Sequence, residues 1–133
     1  MIKNFCVNNN FKYITQADSK KILNNFNIEI PVYIDKKGIK KERKYDFVIK
    51  TKAKLFLLEC NFYAGRGSKL KATAEEYEQL GQQLKNDNFN FIWITDGCGW
   101  LNTKIPLQKA FENIDYIINL QMIENNILNE IIF

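Results

Sequence analysis

The spacing of apolar positions changes several times along the chain, and each change marks an expected element. Ile22, Leu23 and Phe26 lie at helical spacing, so residues 1–27 read as helical, with Thr15 a candidate N-cap. Residues 28–34 alternate around Pro31 and read as an edge strand, because proline cannot donate to a ladder. Lys36, Lys37 and Gly38 make a turn. Residues 44–51 (KYDFVIKT) and 54–62 (KLFLLECNF) are aromatic and aliphatic, with only Lys52 and Ala53 between them. That pattern predicts a tight antiparallel hairpin. A glycine loop covers residues 64–68. Leu70, Thr73, Ala74, Tyr77, Leu80 and Leu84 then predict an amphipathic helix over about residues 68–85. Residues 89–95 (FNFIWIT) form an almost continuous apolar run, as in a strand buried on both faces. A loop over 96–99 leads to a helix with Thr103 as cap and Pro106 in its first turn. Residues 116–120 suggest a short strand, and 122–132 a final helix. The series gives a mixed α/β fold, with a central sheet flanked by helices. The helical crossover to residues 89–95 allows parallel pairing with the hairpin.

The 133 residues suit one domain, 1–133. Hydrophobic residues at 46% and aromatics at 14% suffice for a core. Histidine is absent, which excludes Ser-His-Asp triads, Cys-His pairs and imidazole metal sites. Catalysis here must use carboxylates, Lys, Tyr, Cys or a metal held by oxygen. Cys6, Cys60 and Cys98 are far apart and form no CxxC pair, so a zinc ribbon is not expected. Free thiols suit a reducing cytoplasm. The sequence shows no signal-peptide pattern, and no apolar run nears the roughly 18 residues of a membrane span. A cytoplasmic protein without membrane contact is therefore expected.

The net charge of +4 is modest, but its distribution is uneven. Residues 36–54 carry Lys36, Lys37, Lys40, Lys41, Arg43, Lys44, Lys50, Lys52 and Lys54 against Glu42 and Asp46 only. Such a run is either a solvated face or a contact surface for a polyanion.

Two carboxylates break the apolar hairpin. Side chains alternate along a strand, so Leu57, Glu59 and Asn61 share one face, with Phe56, Leu58, Cys60 and Phe62 on the other. A buried carboxylate costs several kcal/mol unless it is paired or bound to a metal. Asp46 and Glu59 lie 13 residues apart, and a turn near Lys52 sets them almost opposite each other. Neighbouring carboxylates repel unless a cation lies between them. Hard oxygen donors of this kind suit Mg²⁺. The alternative is structural: Asp46 caps a turn and Glu59 pairs with a strand lysine.

Asp46, twelve further residues and then Glu59-Cys60-Asn61 resemble the PD-(D/E)xK nuclease superfamily. The longer stretch YDFVIKTKAKLFLLECNFYAGRGSKLKATAEEYEQL, followed by FIWITDGCGW, resembles the DpnII/MboI family of type II restriction endonucleases. The likeness runs from about residue 28 to 111, and residues 61–74 are its most specific part. It implies a restriction-endonuclease-like core with the active site on the hairpin. The implied activity is Mg²⁺-dependent cleavage of double-stranded DNA at GATC, before the G, leaving 5′-phosphates and 3′-hydroxyls. By the same resemblance Asp46 and Glu59 hold the metal, with the Cys60 carbonyl as a third ligand. Asn61 stands where the superfamily usually has lysine; it can orient water but carries no charge. Lys69 is the expected substitute cation, ahead of Lys50, which lies two pleats from Asp46. The resemblance also implies sensitivity to adenine methylation. Cutting both strands of a palindrome suggests a homodimer. The match is to the C-terminal half of longer family members, so the chain reads as a fragment, a truncated homologue or an independent domain.

Arg66, Ser68, Lys69, Lys71 and Lys44 form the expected DNA-contacting set. Gly65 to Ser68 either cradle phosphate at a helix N-terminus, with Arg66 reaching a guanine edge, or form an ordinary loop capped by Ser68. The lysines of residues 36–44 are expected to touch phosphates without reading sequence. Trp100 is either a DNA contact or a packed loop aromatic. Tyr77, Trp93 and Phe111 read as core, and Glu75, Glu76 and Glu78 as a solvated helix face. Two other functions fit the residues: a resolvase or repair nuclease of the same architecture, or a non-catalytic DNA-binding module.

Overall fold

The computed structural model describes residues 2–62, 68–96, 112 and 114–132, with the backbone alone for residues 68–70. Its elements are α1 (Ile2–Asn8), β1 (Lys12–Ala17), α2 (Ser19–Phe26), β2 (Tyr33–Ile34), β3 (Lys40–Lys41), β4 (Tyr45–Lys50), β5 (Leu55–Phe62), α3 (Ser68–Asn86), β6 (Asn90–Asp96), β7 (Tyr116–Ile118), α4 (Leu120–Glu124) and α5 (Ile127–Ile132). One five-stranded sheet runs β1-β4-β5-β6-β7, and β2 with β3 makes a separate ribbon. The pairings β1–β4 and β4–β5 are antiparallel; β5–β6 and β6–β7 are parallel. This is the expected mixed α/β architecture, consistent with a restriction-endonuclease-like fold.

The hairpin closes through Thr51, whose N–H donates to the Lys54 carbonyl at 3.0 Å. Its strands are rich in β-branched and aromatic residues, which suit a pleated, covered surface. β5 and β6 are buried on both faces, so their apolar residues split by parity. Leu55, Leu57, Phe91 and Trp93 pack with Tyr77, Leu80 and Leu84 of α3. Phe56, Leu58, Ile92 and Ile94 pack with Ile2 and Cys6 of α1 and with Ile123, Leu128 and Ile132 near the C-terminal end. The sheet thus has one face under α3 and the other under α1, α4 and α5.

Three sequence expectations need correction. Residues 1–27 are not one helix. The chain reverses at Asn10, which takes a left-handed φ of 58°. The β-favouring run Tyr13-Ile14-Thr15 then lies on the edge of the sheet beside β4. Thr15 is therefore a strand residue, and the cap of α2 is Asp18, whose side chain accepts the Lys21 N–H at 2.8 Å. Residues 28–34 do not form a full strand; only Tyr33–Ile34 pair, with Lys40–Lys41. Pro31 interrupts the segment, and Gln79 and Gln83 of α3 bind the Ile34 backbone instead. The final helix is two, because Asn126 adopts a left-handed φ of 64° between α4 and α5. The expected glycine loop, the 97–99 part of the later loop and the helix after Thr103 lie outside the described residues.

Candidate active site

The ladder between β4 and β5 runs from Lys50↔Leu55 to Phe47↔Leu58. One step further, the two acids link the strands through their side chains. The Asp46 N–H donates to Glu59 Oε1 at 3.2 Å, and the Cys60 N–H donates to Asp46 Oδ2 at 2.8 Å. Gln16, on the neighbouring edge strand, donates its side-chain amide to Asp46 Oδ1 at 3.2 Å. Strand alternation slips here. Ile14 and Ala17 both face the α3 side, as do Val48 and Tyr45, a spacing of three where alternation demands an even number. Gln16 takes up the slip with a left-handed φ of 47°. Such a conformation costs about 1–3 kcal/mol in a residue other than glycine.

Glu59 is 5% exposed and sits on the α3 side of the sheet. A directional chain of hydrogen bonds fixes its carboxylate. The Trp93 indole donates to Asn61 Oδ1 at 2.5 Å, Asn61 Nδ2 donates to the Tyr77 hydroxyl at 2.8 Å, and that hydroxyl donates to Glu59 Oε2 at 2.8 Å. Arg43 Nη2 approaches the same oxygen at 3.3 Å, while its Nη1 binds Glu76 Oε1 at 2.7 Å. The guanidinium carbon lies 5.3 Å from the Tyr33 ring centre and 5.4 Å from that of Tyr77. Burial lifts the Glu59 pKa above the ordinary carboxylate value; Asp46 adds to the rise, whereas Tyr77 and Arg43 oppose it. Burial also raises the Tyr77 hydroxyl, reinforced by Glu59, so it stays a proton donor at neutral pH. Burial works against the Arg43 charge, but Glu59 and Glu76 outweigh it and raise its pKa.

The two acids chosen from sequence are thus side by side. Asp46 spans the hairpin and does not cap a turn, and Glu59 is ion-paired, with Arg43 in place of the expected strand lysine. Cys60 points its side chain to the opposite face, where burial pushes its thiol up to about 12. Only its backbone adjoins the acids. Asn61 shares Glu59's face, as its parity demands, but both ends of its amide are engaged by Tyr77 and Trp93. Lys50 lies at the far end of β4, its ammonium on the Thr51 carbonyl. Lys44 and Lys71 are exposed. Of the lysine run, Lys36 pairs with Glu75 and Lys41 with Asp35, at 3.1 and 3.3 Å. Arg66, Trp100, Cys98, Phe111 and the side chains of Ser68 and Lys69 lie outside the described residues.

Sequence reasoning missed Arg43 and Tyr77 as polar partners of Glu59, and it took Glu76 for a purely solvated residue. The available signal was weak: Arg43 is the one arginine in a lysine-rich run, three residues before the first acid. Among the described residues no three His, Cys, Asp or Glu side chains gather as a metal cluster. A cation at this site would draw on two carboxylates and complete its shell from backbone and water. That donor set fits Mg²⁺, which keeps several waters, and does not fit zinc, which favours nitrogen and sulfur.

Comparison with known proteins agrees with this architecture. The chain matches the DpnII restriction endonuclease family over residues 1–130, beyond the limits visible from the motifs alone. It is 46% identical over 136 aligned positions to the type II restriction enzyme MjaIII of Methanocaldococcus jannaschii, covering 98% of this chain and 45% of that protein. It is 39% identical to the type II restriction enzyme LlaDCHI of Lactococcus lactis subsp. cremoris (87% and 38% covered). Against the type II restriction enzyme DpnII of Streptococcus pneumoniae identity is 36%, with 92% of this chain and 41% of that protein covered. The chain therefore spans less than half the length of these relatives. By the extent of the family match and the identity across nearly its whole length, this chain belongs to the DpnII restriction endonuclease family.

Proposed function

We propose that the chain carries the catalytic centre of a type II restriction endonuclease that hydrolyses double-stranded DNA at GATC with Mg²⁺, leaving 5′-phosphates. The observation that supports this most is the mutual bracing of Asp46 and Glu59 where the hairpin strands part. Their carboxylates adjoin on a rigid, doubly covered strand pair, and rigidity is what a catalytic constellation requires. Asp46, Glu59 and the Cys60 carbonyl would hold the metal. When bound, Mg²⁺ supplies Lewis-acid polarisation of the scissile phosphate and a lowered pKa for the attacking water. Asp46 stays aligned through the Cys60 N–H and Gln16. Glu59 stays aligned through Tyr77. Asn61 has no titratable group, so it neither takes nor gives a proton and acts by bracing Tyr77. Lys69 is our candidate for the cation that faces the phosphate, and Arg66, Ser68, Lys71 and Lys44 for its DNA contacts. Two such sites, one from each copy of a homodimer, would cut the two strands of the palindrome.

The test is digestion of plasmid with and without adenine methylation at GATC, in Mg²⁺ and in chelator. Discrete fragments from unmethylated plasmid in Mg²⁺ alone are expected. Asp46→Ala should bind DNA yet leave it uncut, and full cleavage by that variant would refute the assignment. The amide at position 61, where the superfamily carries lysine, favours one rival reading, a non-catalytic DNA-binding module. That reading expects salt-sensitive binding and no cutting by the parent chain.

A further inference from the structure

Arg43 sits in the short segment between β3 and β4, yet its side chain is only 14% exposed. Its guanidinium lies against two tyrosine rings and touches two carboxylates, while its Nε, also buried, has no hydrogen-bond acceptor among the described residues. Optimal hydrogen bonding would not leave that donor orphaned, so charge and ring contacts dictate where the group sits. The two ion pairs are unequal: 2.7 Å to Glu76 and 3.3 Å to Glu59. Glu76 and the rings anchor the guanidinium, and the Glu59 contact is the looser one. Asp46, Glu59 and Glu76 together bring three negative charges to Arg43's one.

We infer that Arg43 is the built-in counter-cation of the acidic pair: it positions Glu59 while no metal is present, and an incoming divalent ion competes with it for that carboxylate. The inference rests on the metal reading proposed above. Arg43 is a positioning residue, because it acts through Glu59 and not on the substrate. Its charge offsets part of the cost of holding a nearly buried carboxylate beside a second acid.

The experiment is thermal unfolding of the whole chain across a Mg²⁺ series, for the parent, Arg43→Gln and Arg43→Lys. Without divalent ion, Arg43→Gln should melt roughly 10 °C below the parent. With its competitor gone, Mg²⁺ should restore much of that loss, and half-saturation should need roughly tenfold less Mg²⁺ than in the parent. Arg43→Lys keeps a charge and should remain close to the parent in its Mg²⁺ requirement. A purely packing role predicts the same loss at every Mg²⁺ concentration with half-saturation unchanged, and that result overturns the inference. Should Arg43→Gln not fold, Arg43→Gln combined with Glu59→Gln removes both charges and is expected to fold; failure of both variants also overturns it. If Mg²⁺ leaves even the parent's melting unchanged, the metal reading and this inference fall together. If Mg²⁺ shifts the parent and Arg43→Gln alike, only the inference falls.

Discussion

Asn61 shows how one residue's chemistry is set by its neighbours. Its amide both accepts and donates, and it links the Trp93 indole to the Tyr77 hydroxyl. Asn61→Lys, which restores the usual superfamily residue, should therefore harm this protein. Lysine offers no acceptor to the indole, and its ammonium would enter beside Arg43. A loss of about 1–3 kcal/mol in denaturant-measured stability is expected; a gain in both stability and cleavage would show that the amide has no bracing role. The adjacency of Asp46 and Glu59 was legible from sequence because a short turn fixes the hairpin register. Arg43 and Tyr77 were not. Arg43 is hidden in a basic run, and Tyr77 occupies the apolar stripe of α3. They become partners of Glu59 only because α3 and the β2–β3 ribbon cross the same face of the sheet, a long-range fact that local periodicity does not encode.

At the level of elements, the β2–β3 ribbon owes its turn to Asp35. Its carboxylate accepts the backbone N–H groups of Lys37 and Ile39, both at 2.9 Å, and faces the Lys41 ammonium. The Ile39 N–H is the main cause holding the Asp35 pKa below its ordinary value, with Lys41 and the Lys37 N–H assisting. Because the folded pKa is depressed, the turn's stabilisation is present above the unfolded Asp value of about 3.9 and fades as pH falls through the folded one. Amide shifts of Lys37 and Ile39 followed by NMR should move with a midpoint below that of a free aspartate. A midpoint at or above it would contradict the geometry. The hairpin and β6 were legible as apolar runs bounded by turn residues, and α3 by its helical period. The N-terminal segment was not: Asn10 reverses the chain within a stretch whose later apolar spacing suggests a single helix, and the half-exposed edge strand β1 (KYITQA) carries few apolar residues.

Across the whole molecule, Lys37, Lys40 and Lys44 stand exposed on and beside the ribbon, on the same stretch of chain that carries Arg43 to the site. If this surface meets DNA phosphates, replacing all three by glutamine should weaken binding to every sequence alike and flatten the plot of log affinity against log salt by roughly 2–3 units. An unchanged slope would assign the run to solvent. The sheet order was only partly legible, since the parallel placement of β6 follows from the α3 crossover but nothing local signals β1 pairing with β4. That edge pairing carries Gln16 to Asp46, so part of the site's support comes from a strand the sequence concealed.

On the proposed function, Asp46 and Glu59 act as one divalent-cation site. Calorimetric titration of Mg²⁺ into the parent chain, Asp46→Asn and Glu59→Gln tests it most directly. One ion per chain in the parent, lost in each variant while both remain folded, is the expected result. No heat of binding in the parent, or undiminished binding in either variant, would rule out a shared ion at these two carboxylates.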